Sequence, residues 1–342
     1  MTTAFRDRIN LLSKLNFKRL RNLLGVYLSY HFSGVRRNSW HPSMPSAVSI
    51  EPTTSCNLRC PECPSGLRSF SRPTGMLNLN LFKSVLDQIK DSLFYLTLYF
   101  QGEPFLNKDL FEMIRYAKSR KIYVATSTNA HFLDEECARK TVESGIDRLI
   151  VSIDGTTQGS YEKYRIGGEL EKVLQGVRNI NSWKGKISSA SPFLILQFII
   201  FKHNEHEISE MKKLGKELNV DKVVFKTAQV YDFSNGNELI PKNKDFARYE
   251  QNDTGNFTIK NRLENRCWKL WHSCVITWDG SLVPCCFDKD AKHVMGNLKY
   301  ESFKEIWQGE QYRKFRNNLL KNRNEIEICR NCTEGTRIWA EV

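Results

Sequence analysis

At 342 residues, with 40 % hydrophobic and 26 % charged residues, the chain has the composition of a folded protein with room for one large domain and a smaller one, which excludes disordered and collagen-like classes. No segment approaches the ~18 uninterrupted apolar residues of a membrane span, and the N-terminus lacks the apolar core and small-residue cleavage site of a signal peptide, so a cytoplasmic location is expected. The net charge of +13 raises the question of a nucleic-acid partner, but the distribution of charge and the lack of an aromatic-basic RNA motif argue against one.

Between Met1 and Met44 stand eight cations, Arg6, Arg8, Lys14, Lys18, Arg19, Arg21, Arg36 and Arg37, against Asp7 alone. Leu11, Leu12, Leu15, Leu20, Leu23, Leu24, Tyr27 and Leu28 recur there at helical spacing, which predicts one or two basic amphipathic helices over 1–44. The expectation is a helix packed on the main domain, with Leu12, Leu15, Leu20 and Leu24 buried and a solvated basic face. Peripheral membrane contact is the alternative.

Beyond His41 the pattern alternates. Short β-rich runs occupy Ala47–Ile50, Leu93–Phe100, Ile122–Ser127, Arg148–Ile153, Phe193–Phe201 and Lys222–Lys226, separated by amphipathic stretches near Leu81–Lys90, Leu110–Ser119, Glu135–Glu143, Leu170–Ile180 and Glu207–Leu218. About six β-α repeats predict an α/β fold, a partial (β/α)6 TIM-like barrel over 45–231, with its ligand site at the C-terminal ends of the strands. The strand ends carry the polar groups: Gln101-Gly102-Glu103-Pro104, Thr128-Asn129, and Asp154-Gly155 after Ser152. The first strand is followed by Cys56, Cys60 and Cys63 in a loop broken by Pro52, Pro61 and Pro64.

Ten cysteines in a reducing compartment read as metal or redox chemistry rather than as a disulfide framework. Three thiolates at the spacing Cys-x3-Cys-x2-Cys suit a 4Fe-4S cube whose fourth iron stays open, whereas a structural zinc site wants four ligands. With its strand-end companions, this arrangement resembles the radical S-adenosylmethionine superfamily over roughly residues 45–226. The resemblance implies a 4Fe-4S cluster on Cys56, Cys60 and Cys63, and S-adenosylmethionine held by Gly102, Glu103, Pro104, Asn129, Ser152, Asp154 and Arg165. It also implies reductive cleavage of that cofactor to a 5′-deoxyadenosyl radical, with electrons from a donor such as flavodoxin or ferredoxin. Two positions depart from the family pattern: Gln101 replaces a glycine, and Glu62 stands where an aromatic residue usually shields adenine.

The Asn-rich stretch 232–265 reads as a linker to a cysteine-rich block over 266–342. There Val275–Trp278, Asp279-Gly280 and Ser281–Val283 spell a hairpin, and Ser302–Gln308 and Gln311–Leu320 read as helices. The block resembles the auxiliary-cluster domain called SPASM, or its shorter relative, twitch. That resemblance implies one further 4Fe-4S cluster on Cys267, Cys285, Cys329 and Cys332, with Cys274 and Cys286 as competitors. A closed zinc site is the alternative for these four cysteines, and Cys137 reads as an apolar filler. The substrate is expected to be a small, sugar-like molecule or a glycan precursor, with peptide modification as the alternative. A zinc-containing, basic RNA-binding or scaffold protein is the competing reading of another class.

Overall fold

The computed structural model describes residues 2–260 and 263–332. Six parallel strands run in sequence order: β1 (Ala47–Ile50), β2 (Tyr95–Thr97), β3 (Tyr123–Thr128), β4 (Arg148–Ser152), β5 (Phe193–Ile200) and β6 (Lys222–Thr227). Each crossover carries a helix, as parallel pairing requires. Helix Leu79–Ile89 illustrates the local logic: Asn78 caps its N-terminus through its side-chain oxygen, and Phe82, Val85, Leu86 and Ile89 form the stripe buried on the sheet. Strand β5 is buried along almost its whole length, as a strand covered on both faces should be.

A small hairpin, β7 (Tyr249–Gln251) with β8 (Phe257–Ile259), occupies part of the stretch read as a linker. The predicted hairpin of the cysteine-rich block is β9 (Ser273–Ile276) and β10 (Ser281–Val283), with Gly280 at φ 87° in the turn, a conformation that favours glycine. Strand β11 (Gly296–Asn297) completes it. This block joins the barrel sheet itself. β9 pairs in parallel with β1, from Ala47 opposite Ser273 to Ile50 opposite Ile276, giving the order β11-β10-β9-β1-β2-β3-β4-β5-β6. Helices Phe303–Gln308 and Glu310–Lys321 pack behind it through the buried Phe303, Trp307 and Tyr312.

The N-terminal segment forms two helices, α1 (Thr3–Leu12) and α2 (Phe17–Arg36). They lie under the N-terminal ends of the strands. Asp7 pairs with Arg148 at the start of β4 and accepts from Tyr123 at the start of β3. Arg19 donates to the carbonyls of Lys14, Lys90, Arg120 and Lys121 at 2.6–2.9 Å. The expectation that leucines would bury this segment is corrected: Leu12 is 61 % exposed, Leu20 and Leu24 are each 57 % exposed, and Leu15 is half-buried. The inward face of α2 is instead Arg19, Val26, Ser29 and Ser33. The sequence period identifies an apolar face but not what it faces, and here polar side chains do the docking.

Because four carbonyls converge on one buried guanidinium, Arg19→Ala is expected to cost about 3 kcal/mol of stability, the scale of losing charge-assisted hydrogen bonds. Urea unfolding, with trypsin cleavage of the loosened helices as a second readout, measures it. An unchanged midpoint and unchanged cleavage would show that the apolar contacts alone hold the segment.

Candidate active site and cysteine centres

A pocket of about 320 Å³ opens at the C-terminal ends of the strands. Cys56, Cys60 and Cys63 line it, with Gly102 and Glu103 after β2, Asn129 after β3, Ser152 at the end of β4, and Arg165. Pro104 and Asp154 do not form its wall. Pro104 opens a buried 3-10 turn, and Asp154, fully buried, stands behind Arg165 and accepts from its Nε at 2.6 Å.

The cysteine loop is fixed from several sides. The backbone amide of Gly102 donates to Ser65 Oγ at 2.9 Å, and that of Glu103 to the Ser55 carbonyl at 2.7 Å. Gly102 has φ 72°, and a Cβ there would stand 2.3 Å from the Thr53 carbonyl oxygen, so glycine is required for the approach of the two loops. Glu51, at the end of β1, accepts both terminal nitrogens of Arg72 at 2.6 and 2.8 Å. The Trp278 amide, in the β9-β10 turn, donates to the same carboxylate at 3.2 Å. The loop after β10 closes the other side, since Lys289 O accepts from Arg72 Nε and Asp290 accepts from the Ser71 amide.

Donors point at the sulfurs. Leu58 N lies 3.4 Å from Cys56 Sγ, Asn129 Nδ2 3.8 Å from the same atom, and Arg165 Nη1 3.9 Å from Cys60 Sγ. Burial pushes the Cys56 thiol up to about 11 and raises that of Cys60, while the Leu58 amide and the Arg165 guanidinium respectively favour the thiolates. Such thiols give up their protons when a metal cluster takes the sulfurs, and the donors suit the resulting negative charge. Among the described residues, no three His, Cys, Asp or Glu side chains converge as ligands of a single ion would.

The second group of cysteines separates by position. Cys267, Cys285, Cys329 and Cys332 line one small, closed cavity beneath Phe315, Leu319 and Ile328. Arg323 reaches it, with Nη2 3.1 Å from Cys332 Sγ and Nη1 held by the Arg266 carbonyl. Cys274 is buried in the core near Trp271 and Tyr312, away from that cavity. Cys286 turns to the opposite side and lines the main pocket. Cys137 is half-buried against the barrel core.

Several pocket residues were not anticipated from the sequence. Gln197 is the single polar residue in the apolar run of β5, a signal that was available. Lys226 lies near the end of β6, Arg248 comes from the stretch read as a linker, and Lys289 follows the β9-β10 hairpin. Only folding brings these last two to the mouth.

Residues 50–215 match the radical SAM superfamily model, and residues 267–333 match the iron-sulfur cluster-binding domain model, SPASM. The chain belongs to the radical SAM superfamily, in the branch that carries a SPASM domain. It is an enzyme of that superfamily, which uses S-adenosylmethionine and a 4Fe-4S cluster, with auxiliary iron-sulfur chemistry in the SPASM region. It is 25 % identical over 330 residues to an AdoMet-dependent heme synthase of Methanosarcina barkeri, a match covering 84 % of this chain and 91 % of that one. It is 29 % identical over 204 residues to the PqqA peptide cyclase of Gluconobacter oxydans, covering 58 % and 54 % respectively. The solved structure of native anSMEcpe with bound AdoMet superposes with a TM-score of 0.62 at 17 % identity, covering 86 % of this chain and 92 % of that one, a likeness of fold. No helix among the described residues is long and apolar enough to cross a membrane.

Glu103 sets a pH dependence. Burial pushes its carboxyl up to about 7 from 4.5, against hydrogen bonds from the Asn129 amide, Thr128 and the Phe105 amide that favour the carboxylate. The folded value lies above the unfolded one, so this group's stabilisation is fully present below about pH 4.5 and is lost as pH rises through about 7. Across that window the cofactor-free chain is expected to lose on the order of 3 kcal/mol from Glu103. Urea unfolding of the wild type and Glu103→Gln at both ends of the window isolates the effect. Parallel pH profiles for the two proteins would remove the assignment.

Proposed function

We propose that Cys56, Cys60 and Cys63 hold the radical SAM cluster, and that Cys267, Cys285, Cys329 and Cys332 hold one auxiliary 4Fe-4S cluster. The observation that carries this reading is the partition of the cysteines between two cavities: Cys56, Cys60 and Cys63 come from one loop of the open pocket, which Cys286 lines from another segment, and Cys267, Cys285, Cys329 and Cys332 line the small one. Three thiolates leave one iron for the cofactor, and four saturate a cube. When bound, the reduced cluster and S-adenosylmethionine supply hydrogen-atom abstraction from the substrate.

The chain's own residues then position and shield. Arg165, oriented by Asp154, presents a guanidinium beside Cys60 for the cofactor carboxylate. Gly102 and Glu103 offer the cofactor amino group backbone and carboxylate acceptors, and Asn129 and Ser152 add polar groups on the adjoining wall. Pro104 and Asp154 support these residues from behind. Arg323 places a cation against the auxiliary cysteines, where it favours their thiolate form. The work of the site is orientation and exclusion of water, for which no acid-base pair is needed. A low-potential donor such as flavodoxin or ferredoxin fits the one-electron supply, and a reducing compartment such as the cytoplasm suits cluster-binding thiolates. We place the functional units at 45–231 for the barrel and 266–342 for the auxiliary-cluster block, connected by 232–265 and preceded by 1–44.

We infer a small substrate bearing a carboxylate or phosphate. Lys226, Arg248 and Lys289 line the pocket together. Burial lowers all three, Lys226 to about 8 and Arg248 to about 10, so an anion there would relieve the cost of holding them charged.

Anaerobically purified protein is expected to carry about eight irons per chain, and Cys56, Cys60 and Cys63 replaced together by Ala about four, with loss of reductive cofactor cleavage. Cys329→Ala with Cys332→Ala should remove the other four and leave cleavage without productive turnover. Stoichiometric zinc in place of iron would sink the assignment. For the substrate, small carboxylates and phosphates can be screened by their stimulation of 5′-deoxyadenosine release. Lys289→Gln should raise the KM for an active compound about tenfold, the scale of one charge-assisted contact, without changing uncoupled cleavage. Stimulation by neutral peptides alone would reverse the choice of class.

A further inference from the structure

The two N-terminal helices are arranged inside out. Eleven of the twenty large hydrophobic side chains exposed among the described residues fall between Phe5 and Trp40, so the apolar surface is concentrated in one place. On α2 they recur at Phe17, Leu20, Leu24, Leu28 and Val35, the spacing of a single helical face, and the side opposite holds the buried Arg19, Val26 and Ser33. The face extends onto α1 through Phe5, Ile9 and Leu12. Beyond α2 an apolar groove of roughly 860 Å³ between Leu28, Phe32, Val35 and Trp40 continues it. An exposed stripe of this extent marks an interaction surface.

The charge around the stripe identifies the partner. Arg8, Arg21, Arg36 and Arg37 are exposed beside it. The segment's single acid, Asp7, is buried in its pair with Arg148 and contributes no negative field outside. Arg36 stacks over Phe32 at 4.3 Å, and Phe32 packs edge-on against Trp40, which sets aromatic rings and guanidinium groups together at one end of the face. Aliphatic side chains along the centre, cations on the flanks and a Trp at the margin are the elements of a helix lying in the interface of an anionic bilayer. A second copy of this chain would bring the same cations face to face and is disfavoured by their repulsion.

We propose that α1 and α2 form a peripheral docking face for anionic phospholipid membranes. Phe17, Leu20, Leu24, Leu28 and Val35 enter the headgroup boundary, and the flanking arginines pair with lipid phosphates. The face lies under the N-terminal ends of the strands, since its anchors reach the starts of β3 and β4, while the pocket opens at their C-terminal ends. Docking therefore leaves the catalytic mouth turned to the aqueous phase, open to a soluble substrate and electron donor.

The test is co-sedimentation of the full chain with vesicles of phosphatidylcholine alone and of phosphatidylcholine with phosphatidylglycerol. The expected result is binding to the anionic vesicles only, falling by tenfold or more toward about 1 M salt, where the Debye length is near 3 Å. Leu20→Glu with Leu24→Glu should abolish binding, and Arg21→Gln should weaken it about fivefold, the equivalent of about 1 kcal/mol per surface cation. All three positions are exposed, so thermal melts and iron content should match the wild type, separating lost docking from lost folding. Three results overturn the proposal: absence of binding to anionic vesicles, equal binding to neutral ones, or a dimer that the leucine substitutions dissolve while vesicle binding persists.

Discussion

The parallel pairing of β1 with β9 is the constraint on which the rest of the molecule depends. β1 delivers the loop of Cys56, Cys60 and Cys63 at its C-terminal end, and β9 leads through its hairpin to Cys285 and Cys286, so the register that places Ile50 opposite Ile276 also sets the two cysteine groups relative to each other. A one-residue slip would turn every side chain of β9 to the other face. Glu51 secures the register. Its buried carboxylate takes both arms of Arg72 and the Trp278 amide, and an ion pair this dry persists only when its remaining hydrogen bonds are also made.

This pairing explains the division of labour between neighbouring cysteines. Cys285 and Cys286 follow β10 directly, and at that point the backbone sends successive side chains to opposite sides, one into the closed cavity under Phe315 and the other into the pocket. The same loop then contributes Lys289, whose carbonyl holds Arg72 while its ammonium lies over the Tyr231 ring at 4.6 Å. One short segment thus joins the small cavity of Cys267, Cys285, Cys329 and Cys332, the main pocket and the loop of Cys56, Cys60 and Cys63. The connection between them is structural.

The N-terminal helices show how a polar anchor can replace an apolar one. Arg19 satisfies four carbonyls at the ends of other elements, where unpaired backbone groups would otherwise be buried. The leucines are then free to face outward. A polar anchor recurs at the mouth, where Asp154 fixes Arg165 and also accepts from the Ile199 amide at 2.7 Å, joining β5 to Arg165.

The sequence by itself determined whatever depends on near neighbours. The spacing of Cys56, Cys60 and Cys63, the alternation of strands and helices, the Asp279-Gly280 turn and the grouping of Cys329 with Cys332 are local patterns, and local patterns are set by backbone geometry within a few residues. Only the tertiary structure decided matters between distant segments: that β9 extends the barrel sheet, that Cys274 stays in the core while Cys286 enters the pocket, that Arg248 and Lys289 reach the mouth, and that Leu20 and Leu24 face solvent. A helical period of 3.6 residues states that an apolar face exists, but the side against which it rests follows from which other surfaces are already covered. Here Arg19 found backbone carbonyls at helix C-terminal ends and Asp7 found side chains at strand starts, all distant in the chain, and no pattern within α1 or α2 records that choice.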